Sequence, residues 1–382
     1  MTSMFKTAML AATQLTAAGS LTAATAAIQR ALAGDLPVPT PHAPATGGAA
    51  ARAGGPRGDT IDIEARWLDA REEYGSAQGP ANVVRPAEPA TGRMLSGTHT
   101  APAGTRDYLL YLPPQAASAS SLSLVVMLHG CTQTPADFAA GTGMNKLADQ
   151  HGFIVLYPGQ NKSANQNACW NRFNPRDQRA DAGEPSIIAG IVREVLARYP
   201  VDATRVHVAG LSAGGAMAAI LADAYPDLVA AVAVHSGLPS GAAHDLPSAL
   251  NAMKRGSAAA ASKTGASGKP KTGASGKPVR TIVFHGRQDR TVHPANGRQV
   301  VDAALAGWPK DALTVTQDTR RSPGGRSYTR TVHAGATGRP MVEQWEVQGA
   351  GHAWSGGSPD GSHTDPLGPD ASAAIVEFFR AR

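Results

Sequence analysis

The sequence predicts an α/β protein in which a mostly parallel sheet is flanked by helices. Three observations predict it. Short apolar runs of strand length recur along the chain, they alternate with stretches of helical period, and this alternation begins only after a compositional change near residue 92.

Residues 1–34 precede that change. Lys6 leads into a mildly apolar stretch that Thr13, Gln14, Thr16 and Ser20 interrupt, which is too polar for a clear secretory segment. Met9, Leu10, Leu15, Leu21, Ile28 and Leu32 fit two amphipathic helices instead, with a turn at Ala18-Gly19-Ser20. A small helical hairpin is the expectation, and a weak targeting segment the other reading. Residues 35–91 are dominated by Pro, Ala, Gly and Thr. Such a stretch cannot bury enough apolar surface to offset chain entropy, so it reads as a flexible linker, with residues 61–74 its one helix-like part.

From residue 92 to 382 the chain reads as one catalytic-sized domain. Residues 108–112 form a strand stopped by Pro113-Pro114. Residues 124–128 and 153–157 are continuous apolar runs, as strands buried on both faces require. Between them, residues 137–150 carry helical spacing through Phe138, Met144 and Leu147. A helix opened by Glu184-Pro185 follows, proline suiting a first turn, and its Ile187, Ile188, Ile191, Val192 and Val195 share a stripe. Residues 206–209, 229–234, 281–284 and 342–347 are further strands, and residues 371–379 a closing helix. An octapeptide beginning at Lys263 recurs at once as residues 271–278, marking a low-complexity insert at 256–278.

A formal charge of +6 raises nucleic acid as a partner, but the basic residues are scattered and no nucleic-acid module accompanies them. Solvated surface is the better account. No apolar run approaches the roughly 20 residues of a transmembrane helix. Cys131 and Cys169, the two cysteines, lack CxxC spacing, so no metal site is expected.

Gly210-Leu211-Ser212-Ala213-Gly214 matches G-x-S-x-G between a strand and a helix-forming stretch, the setting in which a serine becomes an exposed nucleophile. A hydroxyl needs a base to take its proton. Of the 12 histidines, His352 in Gly351-His352-Ala353-Trp354 is best placed, just past a strand. Asp289 follows the strand at 281–284 and can orient that imidazole; Asp365 and Asp181 are weaker rivals, and His285 and His293 flank Asp289 too closely to span to Ser212. The chain order Ser212, Asp289, His352 is that of α/β-hydrolases. Backbone N–H groups of Ala213 and of Cys131, in His129-Gly130-Cys131-Thr132-Gln133, are the candidate oxyanion donors. Cys131 is open to three readings: a reactive thiol, a structural residue, or one arm of a disulfide to Cys169. Trp170 and Trp354 are candidates to line the substrate pocket.

Together with Cys169-Trp170-Asn171, His285-Gly286-x-x-Asp289 and Gly351-His352-Ala353-Trp354-Ser355-Gly356-Gly357, these motifs resemble the polyhydroxybutyrate depolymerase esterases, related to feruloyl and acetylxylan esterases. The resemblance covers residues 92–382. It implies an α/β-hydrolase fold and hydrolysis of polyester or short hydroxyacid esters without a cofactor. It also implies an extracellular setting, which would suit a Cys131–Cys169 bridge; a cytoplasmic one is the alternative. A carbohydrate esterase is the second functional reading, and a non-catalytic binding protein on a hydrolase scaffold the third. The sequence leaves the oligomeric state open.

Overall fold

The computed structural model describes residues 92–257 and 277–381. The expected hairpin, the linker and most of the repeat insert lie outside the described residues. Ten strands form one sheet: β1 (Arg93–Ala101), β2 (Gly104–Leu112), β3 (Leu122–Leu128), β4 (Phe153–Pro158), β5 (Val201–Leu211), β6 (Ala231–His235), β7 (Arg280–Gly286), β8 (Thr314–Arg321), β9 (Ser327–Ala334) and β10 (Pro340–Val347). Their spatial order is β1-β2-β4-β3-β5-β6-β7-β10-β9-β8. The six strands from β4 to β10 pair in parallel. Antiparallel strands extend the sheet on both sides, β1-β2 at one margin and β9-β8 at the other.

The uninterrupted apolar runs have a direct cause. Successive side chains of a strand point to opposite faces, and here both faces are covered. In β3, Leu122, Leu124, Val126 and Leu128 pack into one core while Val125 and Met127 pack into another. Strand β4 repeats this, with Ile154 and Leu156 on the first face and Phe153, Val155 and Tyr157 on the second. Helices α3 (Gly183–Arg198), α4 (Ala213–Ala224) and α6 (Ala295–Leu305) contribute to the first core. Helices α1 (Pro135–Thr142), α2 (Met144–His151) and α7 (Ala371–Arg380) contribute to the second. Helix α5 (Leu246–Arg255) stands apart, joining a small cluster of Ala216, Leu238, Ala252 and Val292. Among the described residues no helix is long and apolar enough to cross a membrane.

One expected helix is two. The spacing across residues 137–150 predicts a continuous helix, but Gly143 adopts φ 61°, ψ 18° and its N–H closes α1 on the carbonyl of Ala139. A left-handed residue ends a helix, and glycine takes that conformation without steric penalty. Strands β1, β8 and β9 and helices α5 and α6 are additions to the sequence reading. Strand β8 forms the open edge; most of it is exposed, and it carries Asp318, Arg320 and Arg321.

Candidate active site

Strand β5 ends at Leu211 and α4 starts at Ala213, so Ser212 alone makes the turn. It does so at φ 57°, ψ −116°, a conformation a non-glycine residue rarely adopts and one found where function holds it in place. Packing holds it here. The Ser212 N–H donates to the carbonyl of His235 at 2.8 Å, and the Ser212 carbonyl accepts from Ala216 N–H at 2.9 Å. Gly214 lets the β3 loop cross close by: a Cβ at that position would lie 2.0 Å from the Leu128 carbonyl oxygen. The G-x-S-x-G pattern is therefore a packing requirement at this crossing.

Asp289 hangs from the loop after β7 and His352 from the loop after β10. Backbone bonds join the two loops, from Arg287 N–H to the Val347 carbonyl at 2.9 Å and from Gln288 N–H to the Ala350 carbonyl at 3.0 Å. Between the side chains, His352 Nδ1 donates to Asp289 Oδ2 at 2.7 Å. Asp289 Oδ1 accepts the N–H groups of Thr291 and Val292 at 2.9 and 2.8 Å. Burial alone would raise the Asp289 pKa; hydrogen bonds from His285 and His352 outweigh it and hold the carboxyl below its ordinary range. An ionised carboxylate only accepts, so Nδ1 of His352 carries the proton and Nε2 is left with its lone pair. Among the described residues the His352 ring makes no hydrogen bond besides that to Asp289. The step from Nε2 to Ser212 Oγ is thus open, as catalytic contacts often are before a reacting complex forms.

Because β5, β6, β7 and β10 run parallel, their carboxyl ends deliver Ser212, Asp289 and His352 to one edge of the sheet. His235, at the end of β6, ties these loops together. Its carbonyl takes the Ser212 N–H, its Nε2 takes the Ser355 N–H at 3.0 Å, and its ring stacks between Phe284 and Trp354. Burial, then the neighbouring His285 and His352, lower its pKa to about 3 and keep it neutral. Sequence reasoning passed over His235, although a polar residue ending a buried apolar run was its signal.

The two candidate oxyanion donors are unspent: among the described residues neither the Cys131 N–H nor the Ala213 N–H has an acceptor. Cys131 and Cys169 form a disulfide, which removes the reactive-thiol reading. The two indoles are placed otherwise than expected for pocket walls. Trp170 is 0% and Trp354 1% exposed; the first donates its Nε1–H to the His129 carbonyl and the second to Ser372 Oγ. They brace loops and have no accessible face to offer a substrate. Asp365 pairs with Arg326, and the carboxylate bonded to His352 is that of Asp289, not of Asp365 or Asp181. Among the described residues no group of three or more His, Cys, Asp or Glu could hold a metal ion.

A family model described as esterase PHB depolymerase matches residues 106–320, more than half of the chain. The chain belongs to this family. It is 35% identical over 230 residues to poly(3-hydroxyalkanoate) depolymerase C of Paucimonas lemoignei, a match covering 60% of this chain and 54% of that protein. It is 28% identical over 228 residues to a probable acetylxylan esterase A of Neosartorya fischeri, covering 58% of this chain and 60% of that one. The chain spans about half the length of the first of these curated relatives. A solved acetyl xylan esterase from Aspergillus awamori aligns over 76% of this chain and 99% of its own, with a TM-score of 0.57 and 22% identity. That likeness carries the α/β-hydrolase fold.

Proposed function

We propose that this protein is a serine esterase that hydrolyses polyester or short hydroxyacid esters through an acyl-enzyme, as a depolymerase of the PHB type. The 2.7 Å bond between His352 and Asp289, made at the sheet edge that also carries the Ser212 turn, is the observation that supports it most. Ser212 Oγ attacks the ester carbonyl while His352 Nε2 takes its proton. Asp289 stabilises the imidazolium so formed. The carbonyl π pair moves onto oxygen, and the Cys131 and Ala213 N–H groups receive the resulting oxyanion. His352 then protonates the departing alkoxide, and the same groups activate water to release the acid. No step calls for a cofactor.

One relative is named for polyhydroxyalkanoate and another for acetylxylan, both esters that this chemistry can open, so the substrate has two readings. The 35% identity to the depolymerase favours the polyester over the 28% match to the carbohydrate esterase. The disulfide suits an oxidising compartment, hence action outside the cytosol. Acid release in a pH-stat from amorphous polyhydroxybutyrate and from acetylated xylan separates the readings. Release from the polyester, abolished in Ser212→Ala, is the expected result. Release from xylan alone reassigns the substrate, and activity surviving in Ser212→Ala removes the mechanism.

A further inference from the structure

We infer that Glu184 is a positioning residue of the oxyanion hole, setting the direction of the Cys131 N–H through a buried hydrogen-bond relay. This rests on the reading of the Cys131 and Ala213 N–H groups as the oxyanion donors.

Glu184 lies in the first turn of α3 and is only 3% exposed. Its carboxylate accepts N–H donors from three separate parts of the chain. Arg106 Nη2 of β2 reaches Oε1 at 3.2 Å, and Gln160 Nε2, just past β4, also reaches Oε1. Asn171 supplies two more, its side-chain Nδ2 to Oε1 at 2.8 Å and its backbone N–H to Oε2 at 2.7 Å. The Glu184 backbone is fixed in turn, its N–H donating to Asp177 Oδ1 at 2.7 Å.

Two of those partners, Asn171 and Gln160, lead on to residues 129–131. Asn171 ends the segment whose Cys169 is disulfide-bonded to Cys131 and whose Trp170 Nε1–H donates to the His129 carbonyl at 3.1 Å. Gln160 donates its second side-chain bond to the Cys169 carbonyl at 2.9 Å, and its backbone N–H to His129 Nε2 at 3.0 Å. His129 Nδ1–H closes on the Gly130 carbonyl at 2.7 Å, which fixes the tautomer that lets Nε2 accept. The peptide carrying the Cys131 N–H is therefore held at its carbonyl by His129 and at Cys131 by the disulfide; Gln160, which holds His129, and Asn171, which ends the Cys169-Trp170 segment, meet on one carboxylate.

Fold stability is a poor reason for this arrangement. A buried carboxylate facing one guanidinium at 3.2 Å bears a desolvation cost that its Coulombic gain seldom exceeds, and an apolar residue of similar volume is often the more stable choice. What a carboxylate adds is four converging bonds with one geometry. An oxyanion donor needs such fixity, because its contribution comes from being aimed before charge develops.

Glu184→Gln keeps the shape but turns an amide N–H₂ toward groups that are themselves donors. We expect kcat on p-nitrophenyl acetate to fall about 10- to 100-fold with KM nearly unchanged, short of the loss that follows outright removal of a donor. Inhibition by a trifluoromethyl ketone, whose adduct with Ser212 places an oxyanion in the hole, should weaken by a similar factor. Glu184→Asp, which keeps the charge, should recover part of both. Glu343→Gln is the structural control: that carboxylate is equally buried but serves Arg330 and Trp345, where β10 meets β9, so its loss should lower stability and leave both readouts alone. If Glu184→Gln does not fold, Gln160→Met decides, since it removes the Gln160 side-chain arm of the relay while leaving the charge in place. Full kcat and full inhibitor affinity in a folded relay variant overturn the inference. A wild-type protein that the ketone does not inhibit overturns the oxyanion reading itself, and this inference with it.

Discussion

The two flanks of Ser212 are built by different means. On the β3–β4 side, residues 129–131 are fixed by a disulfide, an indole N–H and a relay ending on a buried carboxylate. On the β7–β10 side, two backbone bonds join the loops and Asp289 is buried on the Thr291 and Val292 N–H groups, but the His352 ring hangs on its one bond to Asp289 and its side chain stays 15% exposed. The contrast matches the proposed tasks. Oxyanion donors act by not moving, whereas a base that takes a proton from serine and gives it to a leaving group must reach two positions in turn. Rigidity is placed where charge accumulates, and tolerance where a proton travels.

Breaking the looser flank should have the largest effect. Asp289→Asn replaces an acceptor with a group that can donate to Nδ1, so the ring takes the other tautomer and Nε2 loses its lone pair. We expect kcat to fall by about 10⁴ in the steady state with little change in fold. A loss under tenfold would mean that the imidazole is oriented by some other group. The same variant alters the acid limb of stability. The Asp289 carboxyl is held below its ordinary range, so the stability it adds is fully present above about pH 4 and is lost as pH falls toward its lowered pKa. Urea midpoints between pH 5 and pH 2 should therefore fall less steeply in Asp289→Asn.

The tighter flank should yield mainly in stability. Replacing Cys131 and Cys169 together with serine removes a bridge across a sequence separation of 38, worth about 3–4 kcal/mol in the chain-entropy model. Urea unfolding measures this. On the reading of the hole given above, kcat should drop while KM holds; an unchanged kcat would place the oxyanion donor elsewhere.

The smallest effect sharpens the comparison from outside both flanks. His207 is buried against Phe379, and burial first, then nearby arginines, lower its pKa to about 3. The unfolded chain takes up a proton near pH 6.5 that the folded one refuses. Stability should then decline below that pH by up to about 1.4 kcal/mol per pH unit from this residue. His207→Phe should flatten the decline between pH 6.5 and 4.5 without touching kcat. A parallel decline in both proteins would show that other groups govern it.

The legible part of the fold was the part buried on two faces. In β3 and β4 both faces are covered by apolar cores, so the sequence reads as apolar runs that a covered parallel strand explains. Strands β1, β8 and β9 are half-buried or exposed, and their threonines and arginines look like loop. The site divides along the same line. Ser212, Asp289 and His352 each stand just past a readable strand, which made them visible one at a time. Glu184 was visible only as a helix opener beside Pro185. Its partners lie 78, 24 and 13 positions away and converge on it only after the sheet has formed.

The Cys131–Cys169 bridge also bears on how the protein is made. The sheet is assembled by apolar contacts that need no oxidant, so chains made in a reducing cytosol are expected to build the sheet without the bridge. In those chains residues 129–131 would rest on hydrogen bonds alone. The defect would then appear as low specific activity per milligram, which oxidative treatment of the purified protein would restore.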